Sequence, residues 1–472
     1  MKKISIALSV VFTLALTTVS CVDNPYVTED NYLNKPNAGH SWVIGLQKQM
    51  ALTTNIIVIN AEITSDNYFN NYTQYSKVFD QPQIDYFDPD VNNLQASIQA
   101  LREMATYGLE VVLPKDPTLT ETDIAFMNFC KGYANLLGGE LFLGLPESNL
   151  GPVITAQDML KKAIEQFTKA YELETKADSK NAYALFIARA NYRLGNKAQA
   201  KQYAELAIAT PNLLYNIQFD GKNSVPNEMQ NATYDALPNR LAPLPRLDYL
   251  DPKFFSVGTP QNDQKSLALA KGEEGYLILA EIALAAQDIA GSKHHLYQLL
   301  DLVASRPTEL VDDKRETRNG GIRPDYPLRE VKVRFDAQSP EKEGYVVDRQ
   351  KGKVWVSKVS GTKVTKADIE AITTADELLY TIYLLRQEIF ISEGRRLADL
   401  GIKFPISQIE AGNNAHVSAE YTKALIPDFI PAKTGMDDFT TDATTGTVTM
   451  KYDMNKVLVA HKNSPYILPL FK

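Results

Sequence analysis

Apolar residues recur along most of this 472-residue chain at the three- and four-residue spacing of an amphipathic helix. Between Ala156 and Lys176, for example, Leu160, Ile164 and Phe167 share one predicted helix face. The chain is therefore predicted to be mainly α-helical. The same spacing predicts further helices over these ranges: His40–Ala61, Val91–Leu109, Thr122–Phe142, Gly275–Val303 (two helices joined by a short turn) and Asp376–Leu400 (one long helix).

The segment Ala182–Pro211 predicts how these helices pack. Two helical patterns flank a turn at Gly195-Asn196, with Tyr192 between them. Small residues fall where the two helices must approach closely, at Ala188, Ala200 and Ala207. This pattern is typical of one tetratricopeptide unit of about 34 residues. The predicted fold class is therefore stacked, tetratricopeptide-like helix hairpins with long irregular loops and small β-hairpins.

Several segments between the helices lack the helical period. Leu213–Pro260 is rich in Pro, Gly and Asn, and Val311–Pro340 is charged and contains Pro. Alternating apolar residues predict two β-hairpins, over Tyr345–Val359 with a turn at 351–353 and over Phe439–Tyr452 with a turn at 444–446. Because long irregular segments of a compact protein are usually functional surfaces, we expect the binding site there.

The N-terminus has the features of a secretory signal. Lys2 and Lys3 precede a short apolar run, and Thr18-Val19-Ser20 then leads directly into Cys21. A Cys at this position is typical of a bacterial lipoprotein, in which the acylated Cys becomes the mature N-terminus and anchors the protein to a membrane. The alternative is an ordinary signal peptide that contains a Cys. The lipoprotein interpretation divides the chain into a signal peptide (1–20), an acylated Cys with a polar tether (21–38) and one helical domain (39–472).

Charge and cysteine content limit the partners of the chain. Lys and Arg number 49 against 57 Asp and Glu, a net charge of −8, which becomes −10 when Lys2 and Lys3 leave with the signal. An acidic chain without a basic patch is not expected to bind nucleic acid. After acylation of Cys21 only Cys130 remains, so no intrachain disulfide can form. The apolar neighbours of Cys130 predict a buried, inert thiol.

Sequence patterns of catalysis are absent. The chain contains no HExxH, GxSxG, phosphate-loop, CxxC or EF-hand pattern. His294 and His295 are adjacent on a predicted helix, so their side chains face different directions and form no chelating pair. We therefore expect a binding protein without a metal or cofactor. The alternative, a glycosidase carboxylate pair, is less compatible with a stack of helix hairpins.

Five short motifs follow Cys21 in a fixed order. Together with Cys21 they resemble the SusD/RagB family of outer-membrane nutrient-binding lipoproteins of Bacteroidetes-type bacteria. The resemblance extends over nearly the whole chain. The segments that carry it are Ala61–Asn67, Phe129–Pro146, Tyr276–Ile282, Arg386–Leu400 (RQEIFISEGRRLADL) and Tyr466–Leu470.

The late motif Arg386–Leu400 also departs from the family pattern. Leu397-Ala398 stand where an aromatic pair is usual, and the chain has only two Trp. These departures weaken any prediction of a specific glycan. The charges of this motif predict a structural ion-pair network, in which Glu393 and Asp399 pair with Arg395 or Arg396.

The resemblance implies a lipid-anchored, surface-exposed protein of the outer membrane. Such a protein binds oligosaccharides and delivers them to a SusC-like TonB-dependent transporter, whose barrel it caps like a lid. Two alternatives remain open: a peptide-binding member of the same family, and a tetratricopeptide-like scaffold for another protein of the cell envelope.

Sugar binding requires flat apolar faces beside planar polar side chains. The stretch Tyr68–Tyr75 interleaves four aromatic residues with Asn and Gln, and the resemblance implies a ligand face in a comparable region. The alternative is that these aromatic residues pack a loop onto the helices. The predicted ligand residues are Asp66, Asn67, Tyr68, Asn71, Tyr72, Tyr75, Tyr249 and Trp355.

Overall fold

The computed structural model describes residues 33, 35, 37–72, 78–210 and 212–467. The predicted signal peptide, Cys21 and Tyr75 lie outside these residues, so the proposed division of the chain at residues 20 and 38 stays a prediction. Among the helices that the structure describes, none combines the length and the apolar composition that crossing a bilayer requires.

Helices dominate the described residues, as predicted. The first four predicted helices differ from the observed ones by three residues or fewer at either end. The helices are α1 (Ala38–Thr64), α2 (Pro89–Tyr107), α3 (Glu121–Leu141), α4 (Ala156–Leu173), α5 (Ala177–Leu194), α6 (Lys197–Ile208), α7 (Gly272–Ala285), α8 (Ile289–Ser305), α9 (Lys366–Ala371), α10 (Ala375–Ile389), α11 (Arg396–Leu400), α12 (Gln408–Asn413) and α13 (Met454–Ala460). Shorter helical turns cover Gly108–Val112, Leu113–Lys115, Glu228–Gln230, Asn231–Asp235, Pro245–Phe254 and Arg318–Gly320.

Consecutive helices pack side by side as hairpins. α3 packs on α4, α4 on α5, α5 on α6 and α7 on α8, while α6 also contacts α7. In the predicted tetratricopeptide unit, Gly195 ends α5 with a φ of 75°, a left-handed conformation that glycine adopts without strain. Ala188, Ala200 and Ala207 are fully buried. The tetratricopeptide-like fold class is thus confirmed.

Aromatic residues fill the core between α3, α4 and α5. The Phe129 ring lies 5.0 Å from the rings of both Tyr183 and Phe186. Gly132 leaves room for the Phe167 ring of the same core, because a Cβ atom at residue 132 would lie 2.7 Å from that ring. Cys130 is buried beside Phe129, and burial raises the pKa of its thiol well above the ordinary value. The prediction of a buried, inert thiol is confirmed.

The predicted long helix Asp376–Leu400 is wrong, because the chain breaks between α10 and α11. Ser392 and Gly394 both have positive φ angles, 65° and 67°, which end helical geometry. The Gly394 N–H donates to Glu62 Oε1 of α1 at 2.7 Å. The break therefore turns the chain so that α11 packs against α1.

In the part of the chain that the structure describes, short strands cover the irregular segments in five small sheets. The hairpin predicted over Phe439–Tyr452 is confirmed, and Gly446 has the positive φ, 72°, of its turn. The strands are β1 (Tyr68–Asn70), β2 (Gly144–Pro146), β3 (Val153–Thr155), β4 (Leu214–Ile217), β5 (Leu241–Pro243), β6 (Leu267–Lys271), β7 (Thr308–Asp312), β8 (Val333–Arg334), β9 (Lys353–Ser357), β10 (Phe439–Thr441) and β11 (Val448–Met450). The pairs are β1–β5, β2–β3, β4–β6, β7–β9 and β10–β11, with β8 parallel to β11.

The hairpin predicted over Tyr345–Val359 is wrong in its pairing. β9 forms at Lys353–Ser357, but its antiparallel partner is β7, which directly follows α8. Residues 345–352 form a bend instead of a strand. The Asp348 carboxylate stabilises this bend by accepting the N–H groups of Gln350 and Lys351, both at 3.1 Å.

The predicted ion-pair network of the late motif exists, but with other partners. Arg395 pairs with Glu274, and Glu393 pairs with Lys253 and Lys271 at 2.6 and 2.7 Å. Each partner comes from a segment far away in the sequence, so helical spacing alone could not identify it. Arg396 pairs with Asp66, and Asp399 pairs with Arg386 and Arg193.

Candidate functional site

Buried charges connect the irregular segments that the sequence analysis predicted to be functional. We call these residues the ion cluster: Asp248, Asp251, Asp313, Arg318 and Arg349. Arg349 donates to Asp248 at 2.7 Å and to Asp313 at 2.8 Å, and Arg318 donates to Asp248 and Asp251. Breaking a buried pair of this kind costs about 3–5 kcal/mol. The ion cluster therefore fixes segments 245–254, 313–320 and 345–349 relative to one another.

The carboxylates of this region differ in their protonation. Burial raises the pKa of Asp248, but the guanidinium groups of Arg349 and Arg318 more than compensate, so its pKa lies below the ordinary value. At neighbouring Glu316 burial dominates over the same two arginines and raises the pKa to about 7. Asp248 is thus the ionised centre on which both arginines converge.

The antiparallel strand pair β7–β9 extends from this fixed base and carries an exposed aromatic residue. Trp355 is 68% exposed and lies directly opposite Leu310, which is also exposed. On the same outward face, Thr308 pairs with Ser357 at one end and Asp312 with Lys353 at the other. The outer face is therefore a flat apolar centre between hydroxyl groups and charges.

The inner face of the β7–β9 strand pair packs on a small apolar cluster that is separate from the main core. Val311 and Val356 are buried against Tyr234 and Phe255, apart from the main core. The Tyr234 and Phe255 rings lie 5.0 Å apart. We call these four residues the satellite cluster. Because β-branched residues on paired strands pack firmly, the satellite cluster holds the outer face in a defined orientation.

A cleft of about 510 Å³ lies beside Trp355, within the range of small-molecule sites. Tyr249 forms part of its wall, held by an N–H donated to the Tyr345 carbonyl at 3.0 Å and by an edge-to-face contact with the Tyr345 ring at 5.6 Å. The Lys363 ammonium lies 5.0 Å from the Tyr249 ring centre. The structure thus brings together two residues of the predicted ligand set, Tyr249 and Trp355.

Three other predicted ligand residues are buried in the scaffold. Asp66 pairs with Arg396, and Asn67 donates to Glu62 Oε2 at 2.8 Å. The Tyr68 hydroxyl contacts the Asp251 carboxylate and thereby joins β1 to the ion cluster. Since these side chains are almost fully buried and have partners within the protein, the structure gives them a role in holding the segments together.

The other predicted ligand residues of the stretch Tyr68–Tyr75 differ in their surroundings. Asn71 is buried and donates to the carbonyls of Asn239 and Arg318, both at 3.1 Å. Tyr72 is half-buried, with its hydroxyl donated to the Gly320 carbonyl, and it does not line the cleft beside Trp355. Tyr75 lies outside the described residues. Among the residues of this stretch that the structure describes, none lines the cleft that contains Tyr249 and Trp355.

Sequence reasoning missed several residues of the cleft. Lys353 could have been found, because strand alternation places it on the same face as Trp355. Thr308, Ser360 and Lys363 also line the cleft, but no local pattern marks them. Their position depends on the pairing of β9 with β7, which the sequence alone did not reveal.

Other features of the described residues favour this cleft. A larger apolar groove of about 600 Å³ lies between α9, α10 and α13, but it has no exposed tryptophan among its lining residues. Among the residues that the structure describes, no group of three or more His, Cys, Asp or Glu side chains could hold a metal ion. The cleft beside Trp355 is therefore our candidate site.

Comparison with solved structures identifies the fold. A SusD superfamily protein from Bacteroides fragilis aligns over 81% of this chain and 99% of its own, with a TM-score of 0.51 and 13% identity. A SusD/RagB family protein from Bacteroides thetaiotaomicron aligns over 81% and 96%, with a TM-score of 0.51 and 10% identity. A second Bacteroides fragilis protein, described as SusD-like, aligns over 79% and 87%, also with a TM-score of 0.51 and 10% identity.

The fold of this chain is thus that of SusD-like proteins, as the sequence motifs predicted. No protein-family model and no curated protein sequence matches the chain. At identities of 10–13% the likeness extends to the fold, while the residues of the cleft have to be interpreted from this structure.

Proposed function

We propose that this chain is a lipid-anchored, surface-exposed nutrient-binding protein of the outer membrane, and that it captures glycans in the cleft beside Trp355. The exposed Trp355 on the firmly held β7–β9 strand pair is the observation that carries the proposal. A sugar ring presents a flat C–H face that packs on an indole, while its hydroxyl groups need nearby polar partners. The hydroxyl groups of Thr308 and Ser357 in the cleft supply such partners.

The SusD-like fold supports the remaining parts of the proposal. Acylated Cys21 anchors the protein in the outer membrane, and the helical body associates with a SusC-like TonB-dependent transporter, to which the captured glycan is delivered. The protein acts by binding and performs no reaction on the glycan. It uses no metal or cofactor in this role.

Affinity electrophoresis and calorimetry of the mature chain against a panel of polysaccharides test glycan capture. We expect at least one glycan to bind and the Trp355→Ala variant to lose most of that affinity. Phe87→Ala is a matched control, because Phe87 is a similarly exposed aromatic residue outside the cleft. Binding to peptides alone, or equal losses in both variants, would contradict the proposal.

The anchor and the partner require separate tests in the native host. The Cys21→Ser variant should move from the membrane fraction to the soluble fraction, and intact mass should show acyl chains only on the wild-type protein. Affinity purification of the acylated protein should recover a TonB-dependent outer-membrane transporter in stoichiometric amount. Acylation at another residue, or recovery without any such transporter, would contradict these two parts.

A further inference from the structure

Positive charge gathers around the cleft in a protein that is acidic as a whole. Three exposed lysines line the cleft: Lys351, Lys353 and Lys363. Two carboxylates, Glu330 and Asp348, accompany them, which leaves a local charge of +1 against −8 for the chain. A local excess of one sign in a cleft raises the concentration of ligands of the opposite sign.

Both carboxylates already interact with groups of the protein. Asp348 accepts the two N–H groups of its own bend, and Glu330 lies 3.9 Å from the Lys351 ammonium. Within the described part of the chain, by contrast, neither Lys353 nor Lys363 has a carboxylate within the 4.0 Å of an ion pair. Lys353 lies opposite Asp312 in register, but the two side chains form no such pair. Two cations of the cleft thus retain their capacity to bind an anion.

Each of these cations lies near one of the two aromatic residues of the cleft. Lys353 projects from the same strand face as Trp355, two positions away, and Lys363 lies over the Tyr249 ring at the wall. Ser360 also lines the cleft and is only 5% exposed. Its buried hydroxyl has no hydrogen-bond partner among the described residues, although buried polar groups are normally paired.

From this arrangement we infer that the cleft selects acidic oligosaccharides, in which uronic-acid carboxylates bind Lys353 and Lys363 while a sugar ring packs on Trp355. The inference deepens the proposed function and rests on it. The ammonium groups give charge-assisted hydrogen bonds to the carboxylate, and the indole gives an apolar contact to the C–H face of the sugar ring. Selection between charged and neutral sugars then depends on the lysines, and sugar capture itself on Trp355.

Calorimetry with defined oligomers tests the inference on the mature chain. The probes are oligogalacturonate and oligomannuronate, each compared with the same oligomer after chemical reduction of its carboxylates. We expect at least one acidic oligomer to bind tenfold or more tightly than its reduced form, and to weaken as NaCl is raised from 50 to 300 mM. The double variant Lys353→Gln/Lys363→Gln should bind that oligomer roughly three- to thirtyfold more weakly and the reduced form unchanged.

Lys161→Gln is the matched control, since Lys161 is an exposed lysine of α4 outside the cleft. If reduced oligomers bind as well as acidic ones, or if the double variant leaves acidic binding unchanged, the charge inference is overturned while glycan capture stands. If none of these oligomers binds, the charge inference is overturned, and the polysaccharide panel decides separately whether glycan capture stands. Binding of poly-glutamate without any sugar binding would overturn both in favour of an acidic peptide.

Discussion

Arg396 holds Asp66 in a two-pronged ion pair, with Nε and Nη2 at 2.6 and 3.0 Å from the two carboxylate oxygens, although the residues lie 330 positions apart in the chain. Both side chains are almost fully buried. The pair therefore joins the segment after α1 to α11 through the interior. The late motif that pointed to the fold at the sequence level thus has a physical role in closing it.

The first prediction concerns this pair. Asp66→Asn removes a charge that compensates Arg396, so we expect the free energy of unfolding to fall by about 3–5 kcal/mol in urea denaturation followed by circular dichroism. The control is Glu165→Gln, which breaks an exposed pair with Lys169 of 2.7 Å and should cost less than about 1 kcal/mol. Similar decreases of the unfolding free energy in the two variants would show that the buried pair contributes no more to stability than the exposed pair.

The second prediction compares the contributions of the two faces of the β7–β9 strand pair to stability. Trp355→Ala alters an exposed side chain and should change the free energy of unfolding by no more than about 0.5 kcal/mol. Val356→Ala removes methyl groups from the satellite cluster and should cost about 1–3 kcal/mol. Thermal unfolding measures the totals, and amide hydrogen exchange should show faster exchange in β7 and β9 only for Val356→Ala. A larger decrease of the unfolding free energy for Trp355→Ala would mean that the indole stabilises the fold.

The third prediction concerns the break between α10 and α11. Gly394 has a φ of +67°, and a Cβ atom there would lie 3.2 Å from the Val58 backbone of α1. Gly394→Ala should therefore destabilise the protein by about 1–3 kcal/mol. Gly412→Ala in α12 is the control, because it meets nothing within 4 Å and should stabilise the helix by up to about 1 kcal/mol. The two variants should shift the urea midpoint in opposite directions.

The fourth prediction concerns pH. Burial, together with the nearby Asp399 charge, raises the pKa of Glu281 to about 7 despite the Arg386 guanidinium. The folded state therefore holds this proton between about pH 4.5 and 7, where the unfolded state has released it, and the contribution of Glu281 to stability decreases as pH rises through this window. Glu281→Gln removes the titration while it keeps an oxygen for the Tyr192 hydroxyl.

We therefore expect Glu281→Gln to be more stable than the wild type at pH 8 by up to about 3 kcal/mol, and the difference to shrink toward pH 5. Urea denaturation of both proteins at pH 5, 6, 7 and 8 measures this. A difference that is constant across the series would show that Glu281 does not titrate in this window.

The sequence predicted most of the helices because their signal is local. The apolar stripe of α4 and the small residues of the tetratricopeptide unit depend only on neighbours three or four positions away. The break after α10 was missed because its cause is distant. Gly394 adopts its conformation where Glu62, on another helix, accepts its N–H.

The candidate site was predicted only in part for the same reason. The alternation around Trp355 correctly indicated a strand, but the sequence analysis paired it with the adjacent residues 345–350, whereas its partner β7 lies further upstream, before a long irregular segment. In Tyr68 the aromatic ring suggested a ligand surface, whereas its contact with Asp251 buries it. Residue type therefore indicated binding chemistry at both positions, and only three-dimensional packing separated the exposed residue from the buried one.

The satellite cluster has a consequence for evolution. Because the β7–β9 strand pair packs on an apolar cluster separate from the main core, residues of its outer face such as Trp355 and Lys353 can mutate without disturbing that core. Under the proposed function, selection can thus exchange side chains that contact the ligand while the helical stack stays the same. A lineage can then change what the protein binds by altering one pair of strands.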